Sequence, residues 1–259
     1  MVSDFFFFKG VKINVVNILT LINHFEKDSL ANSAKYICVS DVGNVVNAYN
    51  WDNRLKNAIN NSFLSIPDGR PLSIYGRLLG FKQIDRVSGA DLMKCLFNEG
   101  FSHCFIGDTE ELHVRLKDNI KNNYPKAVVN GGFSPPFRVW NDDDNDEIIR
   151  NINNFDADIV WISFGGGKQE VWMHDNCRKV KRGILIGIGA GFRWFLGDIK
   201  QAPPLLQKLS VEWLFRLVQQ PKMFSRYAST LPFFVVDSLC EYLKFKVFKK
   251  DVFSSADSK

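Results

Sequence analysis

The stretch Ile159-Val160-Trp161-Ile162-Ser163-Phe164-Gly165-Gly166-Gly167-Lys168-Gln169-Glu170 decides how this chain reads. Its first five residues form a continuous apolar run of strand length, which predicts a buried strand over 159–163. Three glycines then break the run, and a helix start follows. Backbone N–H groups at such a turn approach phosphate or sugar oxygens closely, and a helix N-terminus favours an anion. Gln169 and Glu170 are placed to reach a base or a sugar. The turn is not a Walker A loop, because no Ser or Thr follows Lys168 and the glycine spacing differs. A plain strand–helix turn is the structural alternative.

Working outward, the same rhythm recurs. Strands are predicted at 11–16, 36–39, 63–66, 103–106, 127–130 and 184–188, with helical patterns between them at 89–98, 110–123 and 144–154. Strands alternating with helices imply βαβ units, hence an α/β, Rossmann-like layered sandwich with a mainly parallel sheet. Such sheets bind ligands in the crevice beyond the carboxyl ends of their strands, so the segments just after each strand matter most. After residue 199 the rhythm changes. Gln201-Ala202-Pro203-Pro204 breaks the chain, a helix is predicted over 205–220 ahead of Pro221, and another from Pro232 to about Lys250. The expected organisation is a catalytic α/β domain over 1–199, a helical appendage over 200–250 and a frayed tail over 251–259.

Composition narrows the classes. The chain has 259 residues, 46% apolar and 14% aromatic, enough for a large core and too apolar for general disorder. No apolar run approaches the roughly 20 residues of a spanning helix, and the start MVSDFFFFKG carries no signal-peptide pattern. Five scattered cysteines without a CxxC pair point to reduced thiols and a cytosolic protein. The net charge of +5 is localised. Residues 1–199 hold 23 basic and 23 acidic residues, whereas 200–250 hold nine basic residues against Glu212, Asp237 and Glu241. That basic stretch is rich in Trp, Phe, Leu and Tyr, and Val211–Pro221 reads as an amphipathic helix suited to an anionic membrane surface. An interface between copies, a homo-oligomer, is the alternative. Nucleic acid is not expected, since apolar residues outnumber basic ones and no recognition motif is present.

Three further motifs bear on chemistry. Ile66-Pro67-Asp68-Gly69-Arg70-Pro71 places a carboxylate at the mouth of the crevice, either as a general base or as a turn and cap residue. Gly187-Ile188-Gly189-Ala190-Gly191-Phe192 resembles a dinucleotide fingerprint but has Phe in place of the third glycine, so it does not support NAD. Asp156-Ala157-Asp158 has the Asp-x-Asp form of metal-dependent glycosyltransferases, yet it precedes its strand, at the end opposite the crevice. The acidic run 141–147 reads as a solvated face, and the four histidines (24, 103, 113, 174) lack metal-ligand spacing. No metal and no cofactor are expected.

Taken in order, these motifs resemble the bacterial WecG/TagA/CpsF glycosyltransferases (glycosyltransferase family 26) from about Lys12 to Tyr227. The carriers are Ile37–Val42, Pro67–Leu72, Arg86-Val87-Ser88-Gly89-Ala90-Asp91-Leu92-Met93, Gly165–Glu170, Gly187–Phe192, Ala202-Pro203 and Glu212-Trp213-Leu214-Phe215-Arg216-Leu217. The resemblance implies inverting transfer of a sugar, N-acetylmannosamine-like or another hexose derivative, from a UDP-sugar to a polyprenyl-diphosphate-linked sugar in cell-surface polysaccharide synthesis. It implies a metal-independent enzyme that is cytoplasmic and peripherally bound to the inner face of the plasma membrane. Asp68 falls on the proposed base. Substrate binding is implied for Ser40, Asp41, Arg86, Gly165, Gly166, Gly167, Gln169, Glu170 and Gly189, with Arg216 and Arg226 brought to the diphosphate by the C-terminal helices. Val39-Ser40-Asp41 departs from the Thr or Asn common in the family, and Gly43 stands where His is common. A soluble glycan acceptor, or a non-catalytic UDP-sugar-binding subunit, is the alternative reading.

Overall fold

The structure is a computed structural model and describes residues 4–25, 33–200, 202, 203, 206 and 212–248. Its strands are β1 (Phe5–Phe8), β2 (Val11–Asn14), β3 (Lys35–Ser40), β4 (Leu64–Pro67), β5 (Ser102–Gly107), β6 (Val128–Phe133), β7 (Ile159–Ser163) and β8 (Ile184–Gly187). The six from β3 onward form one parallel sheet in the order β4-β3-β8-β7-β5-β6. The α/β layered sandwich expected from the sequence is therefore the fold observed.

Strand β7 has the predicted bounds because it is covered on both faces. Val160 and Ile162 enter one core with Phe6, Phe8, Cys104 and Ile106, while Ile159 and Trp161 enter the other with Phe97, Phe105 and Phe192. A strand buried on both sides has no polar face to alternate with, so it reads as a solid apolar run. The register then aligns the strand ends. Ser40 pairs with Pro67, Cys38 with Gly187, and Ile162 with Gly187. The turns after β3, β4, β7 and β8 consequently leave the sheet along one edge.

The predicted strand 11–16 forms over Val11–Asn14 but lies outside this sheet. It pairs antiparallel with Phe5–Phe8, a strand the sequence reading left unassigned. Lys9 and Gly10 join the two with φ of 49° and 80°. A two-residue connection with both φ positive has the hand that matches strand twist. The hairpin stacks on the sheet through Asn14, whose Oδ1 accepts the Ser65 N–H at 2.7 Å.

The helices are α1 (Ile18–Ile22), α2 (Val42–Asn50), α3 (Asn53–Asn60), α4 (Arg70–Leu78), α5 (Gly89–Leu96), α6 (Glu110–Asn123), α7 (Asp142–Phe155), α8 (Lys168–Asn176), α9 (Gly191–Phe195), α10 (Glu212–Gln219) and α11 (Phe224–Phe248). A 3-10 turn over Pro221–Met223 separates the last two. The last helix corrects an expectation, since it begins eight residues before Pro232 and runs through it. An internal proline costs about 3 kcal/mol, and tertiary packing outweighs that here. Phe234 stacks on Phe8 with ring centroids 5.1 Å apart, and Asp237 accepts from Lys9 Nζ at 2.8 Å and Tyr49 Oη at 2.6 Å. Helix α11 thus docks on the hairpin and on α2. Residues 201, 204–205 and 207–211, the reach to Lys250 and the tail 251–259 lie outside the described residues. No described helix is long and apolar enough to cross a membrane. All five cysteines are free.

Candidate active site

A cleft of about 360 Å³ opens where the four aligned turns meet the C-terminal helices. Among the described residues its wall carries three carboxylates, Asp41, Asp68 and Glu212, and three guanidiniums, Arg86, Arg216 and Arg226. The topology explains the meeting. Asp41 follows β3, Asp68 follows β4, and the glycines of 165–166 and 189 follow β7 and β8, while Arg86 precedes α5.

Asp68 is fixed from behind. Its N–H donates to the Ser40 carbonyl at 2.9 Å, which extends the β3–β4 ladder by one residue. Gly69 follows with φ of 107°, a conformation that suits glycine and lets α4 leave at once with Pro71 in its first turn. Burial pushes the Asp68 carboxyl up to about 6; Arg86 and Arg216 pull it down, and Asp41 and Glu212 push it up. Asp68 is a carboxylate on the cleft wall that accepts no hydrogen bond from a described residue.

Around it two of the three arginines are paired with carboxylates. Arg86 Nη1 lies 3.3 Å from Glu212 Oε1. Arg226 Nη2 donates to both Asp41 oxygens, at 2.8 and 2.6 Å. Arg216 packs over the Trp194 ring, 5.4 Å from its centroid. Its Nε is buried without a hydrogen-bond partner among the described residues.

The glycine turn differs from the expectation in one respect. Gly165 and Gly166 line the cleft, and a Cβ at Gly165 would meet nothing within 4 Å. Gln169 lines the cleft with its amide engaged by its neighbours, whereas Glu170 does not reach outward. Glu170 is fully buried and accepts from Gly167 N–H at 2.6 Å, Gln169 Nε2 at 3.0 Å and Asn44 Nδ2 at 3.3 Å. Gln169 Oε1 accepts from Gly189 N–H at 3.0 Å. The reason is one half of a capping box: Glu170 stands three residues after the N-cap Gly167 and its carboxylate satisfies that residue's amide. The N-terminus of α8 therefore already holds a carboxylate, and Gln169 ties the β7 turn to the β8 turn. Burial pushes the Glu170 carboxyl up to about 7, against the pull of Gln169 and the Gly167 amide.

Other expected site residues sit as follows. Ser40 lies beneath the cleft, fully buried, with its Oγ 3.1 Å from Ser65 Oγ. Gly189 faces the opening and has φ of 52°. In the Gly187–Phe192 motif, Phe192 is a core side chain, and a Cβ at Gly191 would come within 2.9 Å of Ile188. Residues 188–191 thus line the crevice, and the close packing at Gly191 and Phe192 supports that wall from behind. Asp158 is held by Ser102 and Arg182 at the amino end of β7, away from the cleft. Asp144 in the acidic run pairs with Arg138. His103 and His113 are buried, the latter with Nε2 2.7 Å from the Gly107 carbonyl.

The sequence reading named neither Asn44 nor Glu212 as a site residue. Glu212 and Arg216 are one helical turn apart, so they share a face, and that spacing was a usable signal. Asn44 bridges two turns distant in sequence, which no local pattern reveals. Trp213 and Tyr227, with ring centroids 6.1 Å apart, complete the aromatic part of the wall. The family model described as "Glycosyl transferase WecG/TagA/CpsF family" matches residues 6–247.

Proposed function

The chain belongs to the WecG/TagA/CpsF family of glycosyltransferases, which act in cell-surface polysaccharide synthesis, and on that premise we propose that the cleft transfers a sugar from a UDP-sugar to a sugar on a polyprenyl diphosphate, with inversion. The supporting observation is Asp68, a carboxylate at about 6, facing the cleft, with no donor on its oxygens among the described residues. In the proposed step the acceptor hydroxyl gives its proton to the Asp68 carboxylate. Its oxygen bonds to the anomeric carbon, the bond from that carbon to the diphosphate oxygen breaks, and UDP leaves with the electron pair. Charge on the leaving diphosphate is met by the cleft arginines and by backbone N–H groups of the 165–166 turn. Residues 1–199 would carry this chemistry and the C-terminal helices would close it.

Two results are expected. With a labelled UDP-sugar and a short-chain polyprenyl-diphosphate-sugar, kcat/KM falls about tenfold per unit as pH drops below about 6, because the base must be unprotonated. A rate flat from pH 5 to 8 removes Asp68 as the base. Glu212 raises the Asp68 carboxyl, so Glu212→Gln shifts that acid limb to lower pH; an unmoved limb refutes the coupling.

Val236, Leu239, Leu243 and Val247 recur at three and four along α11 and are all exposed, beside Lys244 and Lys246. This stripe suits the surface of an anionic membrane, where the lipid-linked acceptor resides. Co-sedimentation with anionic vesicles is the check. Native chain pellets, and Leu239→Glu with Leu243→Glu remains in solution; equal pelleting of the variant removes this face as the contact.

A further inference from the structure

Asp41 has two tasks that separate chemically. It is the N-cap of α2, where one carboxylate oxygen accepts the Asn44 N–H at 2.8 Å. A cap needs an oxygen acceptor and no charge, since Asn serves as well as Asp. The same carboxylate also takes both contacts from Arg226 Nη2, from a residue 185 positions away. Arg226 in turn lies against Gly43, where a Cβ would stand 2.7 Å from Nε and 2.9 Å from Nη2. One turn therefore provides the anion, the capped helix and the vacant Cβ position that seat a single guanidinium.

The pair borders the cleft, and both residues are on its wall. The two side chains are 31% and 33% exposed. Ion pairs of that exposure contribute little to stability, because water competes for both partners. A diphosphate offers a guanidinium more charge and paired oxygens, so it outcompetes one carboxylate.

We propose that Asp41 is an internal counter-ion for Arg226: it seats the arginine at the edge of the cleft and yields it to the diphosphate of a substrate. It thereby sets how tightly that diphosphate binds. This rests on the reading of the cleft as a site for diphosphate-bearing substrates. The donor nucleotide and the lipid carrier both carry that group, so the test separates them.

Calorimetric titration of the full chain with UDP, and separately with geranyl diphosphate, compares native protein, Asp41→Asn, Arg226→Gln and the double variant. Asn keeps the α2 cap, so the change removes charge alone. Asp41→Asn is expected to bind one of the two diphosphates about 5–10-fold more tightly, with no gain from the same change in the Arg226→Gln background. The ligand that shows the gain identifies which diphosphate Arg226 meets. Binding of both ligands unchanged or weakened in Asp41→Asn overturns the proposal, as does an equal gain without Arg226. A native chain that binds neither ligand refutes the reading of the cleft itself; native binding without the gain refutes only the counter-ion.

Discussion

Asp68→Asn is expected to lower turnover by about 10³-fold while leaving UDP binding intact or slightly tighter. Asparagine keeps the size of the side chain, and the backbone hydrogen bond from residue 68 to the Ser40 carbonyl survives. What disappears is the proton acceptor, and with it one of the negative charges of the cleft. A residue that merely turned the chain would show the opposite pattern, with a loss of folding stability and little change in kcat for the molecules that fold. Side-by-side measurement of kcat, UDP affinity and melting temperature separates the two. Turnover within about twofold of native removes Asp68 from the chemistry.

Glu170→Ala is expected to be the most damaging single change to the fold. Three donors converge on this carboxylate from Gly167, Gln169 and Asn44, in a place without solvent. Removing the acceptor leaves those donors buried and unsatisfied, a loss of about 3–5 kcal/mol and roughly 10 °C in melting temperature. Glu170→Gln places an amide N–H against one of the same donors, so it is also destabilising, though it fills the space. The pH dependence follows from sign. Glu170 and Asp68 have carboxyls raised to about 7 and about 6, so the native state holds protons that the unfolded chain has released. Their contribution is full below the ordinary carboxylate range and is lost as pH rises through 6 to 7. Asp158 and Asp237 are lowered, and their contribution is lost as pH falls below that range. Burial lowers His103 and His113, so their contribution is lost as pH falls below the ordinary imidazole value and opposes that of the raised carboxyls. Urea unfolding of native chain beside Glu170→Gln isolates the Glu170 part, and the native advantage is expected to shrink as pH rises from about 5 to about 7.5. A native advantage over Glu170→Gln that stays flat or grows from about pH 5 to about 7.5 contradicts the raised Glu170 carboxyl.

The parts of this protein that could be read from sequence were those in which local pattern and tertiary environment agree. Strand β7 is apolar on both faces, so its pattern and its burial say the same thing. The carboxyl-end rule then placed Asp68, Gly165 and Gly189 correctly at the cleft, because it depends only on strand direction. Other features were hidden. Four consecutive phenylalanines have no alternation, although alternate rings are buried, so β1 was not legible until Lys9-Gly10 was seen as a tight turn. Pro232 reads as a helix stop, yet packing of Phe234 on Phe8 carries the helix through it. Glu170 was expected to face a ligand; its spacing from Gly167 signals a cap, which turns the side chain inward. The Asp41–Arg226 contact depends on where the last helix docks, and nothing local encodes that.

The central claim is a single displacement at the anomeric carbon with Asp68 as base. Its most direct test is the stereochemistry of the product, read by NMR from the reaction of an isotopically labelled UDP-sugar with a short-chain polyprenyl-diphosphate-sugar. The account predicts one UDP released per sugar transferred and an anomeric configuration opposite to that of the donor. A product with retained configuration, or release of free sugar without transfer to the lipid-linked acceptor, would contradict it.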